Sequence, residues 1–521
     1  MCRCAPFDCL FRDEELTMFA SNLIRSQHNT SQSKTGLQRR RFLLALAASG
    51  FAATAVPAVA LAGDPITIER SPSKSVMRVR IEMDVKGNVN VPSDPLVSRK
   101  SDLSLPIESE AVLDYEERYR LPVDADPNSA VTAAERYYHE AKRTTTLNRK
   151  ETEIVLRDSV RQTQVRRDSL PESVYSVDDF FTNEELGLLR VPVCSVALDE
   201  LLPTTAISVG SVYQPSKDTV ASVLNLSVVE KTDISIEVMA IDEANVRLQL
   251  RGKVHGSVEG VPTTINAVGK LTFDRKFGAC SWLAIAVHEI REIGKAEPGF
   301  DVAATIKMVR QPLPSAIALP KQPAKIAITK PIPQDRLFID LQSERVGVAA
   351  IMDRRWRMMI DLTGNAMMRM IDNDRSIAQC NLRPLAELKA GKQWTLDAFQ
   401  EDVKRTLGEE LQTLVEADQL LSETGLRVLR VVADGAVEGV PIRWIMMHFS
   451  DDSGRRVLAT FTMSEDRVES FAGADTQLAN SMRLLKVSNA RDADLDDEIA
   501  ESEPKAEVAT RPAVQSPSDL R

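Results

Sequence analysis

The feature that most constrains the fold is a period-two alternation of apolar and charged residues. Apolar side chains occupy every second position from Met77 to Val85, and the four positions between them carry charge. Because successive side chains of a strand point to opposite faces, this pattern predicts a half-buried β-strand. A second alternation, from Leu105 to Tyr115, predicts another strand.

The same pattern recurs after Cys194, where short turns separate successive apolar runs. We predict strands at Ile234–Ile241, Val246–Val254, Thr264–Phe273, Ser281–Ile293 and Val302–Val309. Strands joined by short turns form antiparallel sheets. Helices are expected at Leu198–Leu202, at Ser216–Leu224 and, because alanines recur on one side, at Ser129–Arg143. Thr182 and Glu185 predict a capping box.

Six prolines between Pro312 and Pro333 mark a domain boundary, because proline favours an extended backbone without amide donors. We therefore divide the chain into segments with these bounds: signal region 1–62, β-rich meander 63–310 (as one unit or as 74–190 and 191–310), linker 311–335, second domain 336–487 and acidic tail 488–521. Thr395 is expected to cap a helix whose apolar residues recur every three or four positions.

The second domain resembles the PsbP and Mog1-like family over Arg336 to Lys486. The resemblance depends on Cys380-Asn381, Thr395–Phe399, Pro441–Trp444 and Ala459–Thr462. It implies an α/β/α sandwich with an antiparallel sheet, in a family of mainly binding and assembly modules. The predicted fold class is therefore α+β, with an N-terminal antiparallel β-meander that carries short helices and a C-terminal α/β/α sandwich.

An export signal precedes the predicted domains. A basic region, an apolar stretch and small residues at the cleavage site are its three parts. The residues that carry it are Arg39, Arg40, Phe42, Leu43, Ala60 and Ala62. The paired arginines favour the twin-arginine type over a general secretory signal or a retained anchor, and Met18 is an alternative start. We expect a periplasmic or secreted protein.

Composition restricts the partners. The net charge of −10 argues against nucleic acid, because binding phosphates requires a basic surface. No apolar run long enough for a second membrane span follows the signal, so no stable span is expected after cleavage. Asp492 to Glu503 holds seven acidic residues and no basic ones, which predicts a disordered tail.

No residue pattern predicts a catalytic, cofactor-binding or metal site. The string His288–Glu292 resembles a zinc-hydrolase motif, but its second histidine is missing and its neighbours alternate as in a strand. The other histidines of the predicted mature chain, His139, His255 and His448, lie in no cluster of ligands. Cys194 and Cys280 could pair and leave Cys380 free, or all three could be buried thiols.

One charged and aromatic cluster falls on the predicted helix and the segment before it. Its members are Glu116, Glu117, Arg118, Tyr119, Glu135, Arg136, Tyr137 and Tyr138. A solvated helix face with half-buried tyrosines accounts for it, and a carbohydrate-binding or peptide-binding surface is the alternative. Trp356, Trp394 and Trp444 are interpreted as core residues.

These observations favour an exported, non-catalytic binding or scaffold protein of the cell envelope. An apolar or amphiphilic ligand held by a curved sheet is one candidate, and a protein partner along the sheet is another. The alternatives are a secreted hydrolase or isomerase whose residues come from distant segments, and a structural component of the envelope.

Overall fold

A computed structural model describes residues 65–70, 76–92, 103–121, 130–323, 328, 330–389 and 391–485. The predicted export signal, from Arg39 to Ala62, and the predicted acidic tail lie outside these ranges. Within them, no helix combines the length and the apolar character that crossing a membrane requires.

The N-terminal half is dominated by one thirteen-stranded antiparallel sheet. Its strands are β1 Val76–Val91, β2 Leu103–Arg120, β3 Ala133–Leu147, β4 Lys150–Val155, β5 Gln162–Arg166, β6 Ser173–Ser176, β7 Val212–Tyr213, β8 Val228–Thr232, β9 Ser235–Ile241, β10 Asn245–Val258, β11 Val261–Asp274, β12 Ala279–Arg291 and β13 Gly299–Leu313. The order is β6-β5-β3-β2-β1-β13-β12-β11-β10-β9-β7, with β4 on β3 and β8 on β10. The predicted antiparallel meander is confirmed, and pairing of β1 with β13 joins its first and last strands.

Residues 183–226 apart from strand β7, which we call the cover, pack on one face of this sheet. The cover contains α1 (Asn183–Leu189), a 3-10 turn (Leu198–Leu201) and α2 (Lys217–Val223). The predicted capping box is confirmed, since Thr182 accepts from the Glu185 amide and Glu185 accepts from the Thr182 amide. The inner face of the sheet is the one that carries Met77, which is fully buried.

The predicted helix at Ser129–Arg143 is wrong, because most of these residues form strand β3. Both faces of β3 are buried around Ala133–Arg136, so the strand lacks the polar face that produces an alternating sequence. Its alanines, Ala133, Ala134 and Ala141, are buried. The same small residues suggested a helical stripe in the sequence.

The C-terminal half contains two further antiparallel sheets. The smaller one has the order β14-β15-β23, with β14 Phe338–Ser343, β15 Val348–Asp353 and β23 Arg483–Leu484. The larger has the order β16-β17-β18-β22-β21-β20-β19, with β16 Trp356–Leu362, β17 Asn365–Asp372, β18 Arg375–Leu385, β19 Leu411–Leu421, β20 Arg427–Val437, β21 Val440–Ser450 and β22 Arg456–Ser464. Three helices accompany them: α3 Leu396–Leu407, α4 Val468–Phe471 and α5 Ala474–Ser481.

The predicted α+β class with an α/β/α sandwich is wrong. The structure is mostly antiparallel β, with 56% strand and 14% helix. One face of the larger C-terminal sheet does pack on α3, through Phe399 and Val403. The opposite face packs on the smaller sheet together with α4 and α5, which have four and eight residues. A second helical layer is therefore missing from the described residues, and the resemblance to the PsbP and Mog1-like family remains a prediction.

Buried apolar residues from both halves belong to one continuous core. Phe181, just before α1, forms a parallel bridge with Ile339 of β14, and the Asp340 amide donates to the Phe181 carbonyl at 2.8 Å. Trp356 is fully buried and Trp444 nearly so, which confirms both as core residues. The division into domains at residues 311–335 stays a prediction.

Candidate functional site on the two faces of strands β2 and β3

The predicted charged and aromatic cluster is divided between the two faces of the large sheet. Glu116 and Glu117 are neighbours on β2, so their side chains point in opposite directions. Glu117 faces Arg136 across the β2–β3 pair on the inner face, whereas Glu116 lies on the outer face. The interpretation as a solvated helix face is wrong, because both carboxylates are fully buried.

Ser195 of the cover is the centre of the inner-face network. Its hydroxyl accepts from Tyr115 Oη at 2.9 Å and from Arg136 Nη2 at 3.1 Å, and it donates to Glu117 Oε1 at 2.7 Å. Arg136 Nε also donates to Glu117 Oε1, at 2.8 Å. The Ser195 hydroxyl thus accepts two hydrogen bonds and donates one. All of its hydrogen-bonding capacity is used to connect the cover to the sheet, so the hydroxyl is not a free nucleophile.

A second buried arginine ties the cover to the sheet farther along. Arg310 of β13 forms an ion pair with Asp199 at 2.9 Å and donates to Tyr119 Oη at 2.7 Å. Tyr119 Oη in turn donates to the Ser195 carbonyl at 3.1 Å. Burial raises the pKa of Tyr119 well above its ordinary value, so the phenol stays protonated. These bonds explain how charged groups are accommodated in a closed core.

The three cysteines of the predicted mature chain are buried, free thiols. Cys194 and Cys280 are not paired in the structure, and burial raises the pKa of both. Burial likewise raises the pKa of Cys380. Since the thiolate is the reactive form, these cysteines behave as small apolar residues.

On the outer face, Glu116 binds the backbone of the proline-rich segment. Its carboxylate accepts hydrogen bonds from the amides of Ile317, Ala318 and Leu319, at 2.9, 2.8 and 3.2 Å. His139 Nε2 lies 2.7 Å from Glu116 Oε1. Burial alone would raise the pKa of Glu116, but the hydrogen bonds from His139 and the three amides lower it below its ordinary value.

Two arginines bind carbonyl groups of the same segment. Arg118 Nη2 donates to the Pro320 carbonyl at 2.8 Å, and Arg166 Nη2 donates to the Lys330 carbonyl at 2.9 Å. We call Ile317–Pro320 together with Lys330 the strap, and Glu116, Arg118, His139 and Arg166 the strap site. The predicted linker is therefore fastened to the outer face of the sheet through its backbone groups.

Two tight hairpin turns meet between the halves of the molecule. Glu259 and Gly260, and likewise Asn373 and Asp374, have positive φ at both central positions, as in type I′ turns. A Cβ atom on Gly260 would lie 2.6 Å from the Asn373 carbonyl carbon and oxygen. Only glycine fits this contact.

Glu259 also carries an ion-pair bridge at the same contact. It pairs with Arg190 at 2.6 Å and with Arg357 of β16 at 3.3 Å. Burial would raise the pKa of Glu259, but the charges of these two arginines lower it overall. Arg357, from the C-terminal half, thus helps to fix the position of the N-terminal hairpin.

The four described histidines lie on four different strands. His288 lies on strand β12, as predicted, and pairs with Asp301 at 2.8 Å, while His255 Nδ1 lies 3.2 Å from the Thr264 hydroxyl. His139 serves the strap site, and His448 is buried in the C-terminal half. Among the described residues, no three His, Cys, Asp or Glu side chains form a group that could hold a metal ion.

Sequence reasoning missed Ser195, Asp199 and Arg310. Arg136 and Ser195 are 59 residues apart, and Arg310 and Tyr119 are 191 apart, so no local pattern could connect them. One signal was available for the strap site: charged residues flank tyrosines on a strand whose alternation is otherwise clear. That signal identified Glu116 and Arg118 but not the segment that they bind.

Comparisons with known proteins give no family. No protein-family model and no curated protein matches the chain. A crystal structure from Bacteroides thetaiotaomicron aligns at 12% identity and a TM-score of 0.20, covering 28% of this chain and 47% of that one. Lipovitellin aligns at 8% identity and a TM-score of 0.27, covering 51% of this chain and 28% of its own length. Kievitone hydratase from Nectria haematococca aligns at 7% identity and a TM-score of 0.13, covering 74% of this chain and 89% of its own length. At these scores the likeness identifies neither a shared fold nor a function.

Proposed function

We propose that this chain is an exported, non-catalytic scaffold protein that binds a protein partner. The observation that carries this proposal is the occupation of the inner face of the large sheet by the cover. The residues of that face are buried along β1, β2 and β13, including Val79, Leu113 and Ile306. An apolar ligand on this face would have to displace the cover together with the Ser195 network.

Displacing the cover is costly. It would expose the Glu117–Arg136 pair and the Arg310–Asp199 pair, and it would break the three bonds of Ser195. Hydrogen bonds to charged groups contribute about 1.5–3 kcal/mol each. We therefore favour a partner that contacts the exterior of the molecule over an amphiphile held inside it.

The scaffold role is supported by the strap site and by the contact between the two hairpin turns. The charged groups of Glu116 and Arg118 bind backbone groups of the strap, and the ion pair of Glu259 with Arg357 joins the two halves. Such contacts fix the relative position of two sheet-bearing regions. A fixed arrangement of exterior surfaces suits recognition of a partner, because less conformational entropy is lost on binding.

Native mass spectrometry of the full chain, purified from its own host without detergent, tests the proposal. We expect the mass of a complex with a protein at fixed stoichiometry. A lipid-sized adduct that survives gentle activation would contradict it and favour the amphiphile. The Ser195→Ala variant is the matched control, because a loosened cover should admit added fatty acid if the cover is what excludes it.

A further inference from the structure

A cationic cluster lies at the end of the larger C-terminal sheet where helix α3 begins. The Cζ atom of Arg456 is 5.5 Å from the ring centroid of Trp394, and the His448 ring centroid is 5.1 Å from it. Arg427 Nη1 donates to the Trp394 carbonyl at 2.5 Å. We call Trp394, Arg427, His448 and Arg456 the Trp394 cluster.

The two guanidinium groups of this cluster have no carboxylate partner among the described residues. Arg427 bonds otherwise only to Gln419 Oε1, at 2.8 Å, and Arg456 bonds only to the Ala386 carbonyl, at 2.9 Å from Nε. Arg430, on the same strand as Arg427, contrasts with both, because it contacts three carboxylates. The positive charge of the Trp394 cluster is therefore not neutralised locally.

The pKa of His448 reflects this positive charge. Its side chain is fully buried, and neither ring nitrogen has a hydrogen-bond partner in the described part of the chain. Burial, and then the charges of Arg456 and Arg427, lower the pKa of His448 to about 4. Lys389 and Lys392, both exposed in the loop before α3, add positive charge, which Glu387 and Asp397 offset in part.

An acidic segment of the chain begins within reach. Arg455, the neighbour of Arg456, has Nη1 3.3 Å from the carbonyl oxygen of Leu485, the last described residue. Six residues lie between Leu485 and Asp492, and the seven residue steps that join the two span about 23 Å when extended at roughly 3.3 Å per residue. Asp492–Glu503 has seven carboxylates and no basic residue.

We propose that the Trp394 cluster is a binding site for an acidic peptide segment, and that its occupant is this chain's own Asp492–Glu503. Guanidinium groups recognise carboxylates through charge-assisted, often paired hydrogen bonds. The short connection raises the effective concentration of the segment at the site above that of a separate molecule. The inference is independent of the proposed function.

A peptide titration tests the proposal. The protein is the full chain in which the seven carboxylates of the segment are changed to their amides, and the probe is a fluorescein-labelled peptide spanning Asp492–Glu503. We expect anisotropy to show binding that is at least about tenfold tighter than for the amide form of the peptide and that weakens with added salt. The full chain with its native tail should bind the probe more weakly, because its own segment competes.

Substitutions in the cluster provide the second arm. Arg456→Gln should weaken probe binding by about fivefold, and Arg456→Lys should retain part of the affinity. Arg375→Gln, at an exposed arginine where β18 begins, is the matched control and should leave the affinity unchanged. Circular dichroism checks that each variant is folded.

Three results would overturn the proposal. The first is equal affinity for the acidic and amide peptides, and the second is equal affinity of the Arg456→Gln and Arg375→Gln variants. The third is equal affinity of the native-tail and amide-tail chains, which would show that the chain's own segment does not occupy the site.

Discussion

Replacement of Ser195 by alanine should destabilise the protein far more than the loss of one hydroxyl usually does. Within the described part of the chain, Tyr115 Oη donates only to Ser195, so the variant leaves a fully buried hydroxyl unpaired. That costs about 1–3 kcal/mol, and the lost bonds to the charged groups of Glu117 and Arg136 cost about 1.5–3 kcal/mol each. The sum is about 4–9 kcal/mol, a large part of the roughly 5–15 kcal/mol that stabilises a typical domain.

Urea unfolding followed by far-ultraviolet circular dichroism measures this change in the free energy of unfolding. Ser176→Ala is the control, because Ser176 is a buried serine whose hydroxyl accepts one long bond, 3.3 Å from the Asp178 amide. We expect the control to cost under about 1 kcal/mol.

A double-mutant cycle separates the network from ordinary packing. Tyr115→Phe removes the hydroxyl that Ser195→Ala leaves unpaired, so the double variant should recover about 1 kcal/mol or more relative to the sum of the single changes. A cost below about 1 kcal/mol for Ser195→Ala, or strict additivity in the cycle, would refute the view that Ser195 is the centre of a buried network.

Three further predictions concern other parts of the molecule. Glu116 has a folded-state pKa below its unfolded one, so its contribution to stability is present above the unfolded value, about pH 4.3, and is lost as pH falls through the folded value. The difference in unfolding free energy between wild type and Glu116→Gln should therefore decrease as pH falls below about 4.3, and a constant difference from pH 7 to pH 3 would contradict this prediction. His448 has linkage of the same sign, because its unfolded form also binds the proton more tightly than the folded form. Wild type should lose up to roughly 3 kcal/mol as pH falls from 6.5 towards 4. The His448→Phe variant should lose less over the same pH range, and parallel curves of unfolding free energy against pH would exclude this role. Gly260→Ala should lower the free energy of unfolding by at least about 2 kcal/mol in thermal or urea unfolding, because the new Cβ atom meets the backbone of Asn373. Gly364→Ala is the control, because φ is also positive there but the space is open, and it should cost about 1 kcal/mol. Equal costs for the two variants would refute the contact between the turns.

Strands and helices could be predicted from the sequence where one face of the element is exposed to solvent. Met77 to Val85 alternate because the outer face of β1 is partly exposed, and α3 is amphipathic because only Phe399 and its neighbours face the sheet. Thr182 and Glu185 predicted a helix start, since a capping box depends only on residues three apart.

Strands could not be predicted from the sequence pattern where both of their faces are buried. Strand β3 is buried on both faces around Ala133–Arg136, so its alternation disappears and its alanines suggest a helix. The prediction of an α/β/α sandwich was wrong for a related reason. Helix α3 is real, but the layer on the other side of the sheet is formed largely by β14 and β15, whose short strands resemble those of a single meander.

The candidate site was only half predictable. Glu116 and Glu117 stood out as a charged pair, but which face each one occupies depends on whether the segment is a strand or a helix. Their partners, Ser195 and the strap, come from distant parts of the chain. Such pairings are determined by the closed core rather than by local spacing.

Hydrogen exchange in the cover tests the central claim most directly, namely that the inner face of the large sheet is permanently occupied. The Val193 amide bonds to the Val223 carbonyl, and the Leu202 amide bonds to the Asp199 carbonyl. We predict that peptides covering Val193–Leu202 exchange as slowly as those of β13, because the cover opens only with the core. Exchange within seconds, accelerated further by Ser195→Ala but suppressed by added fatty acid, would contradict the account and identify the cover as a lid over a ligand site.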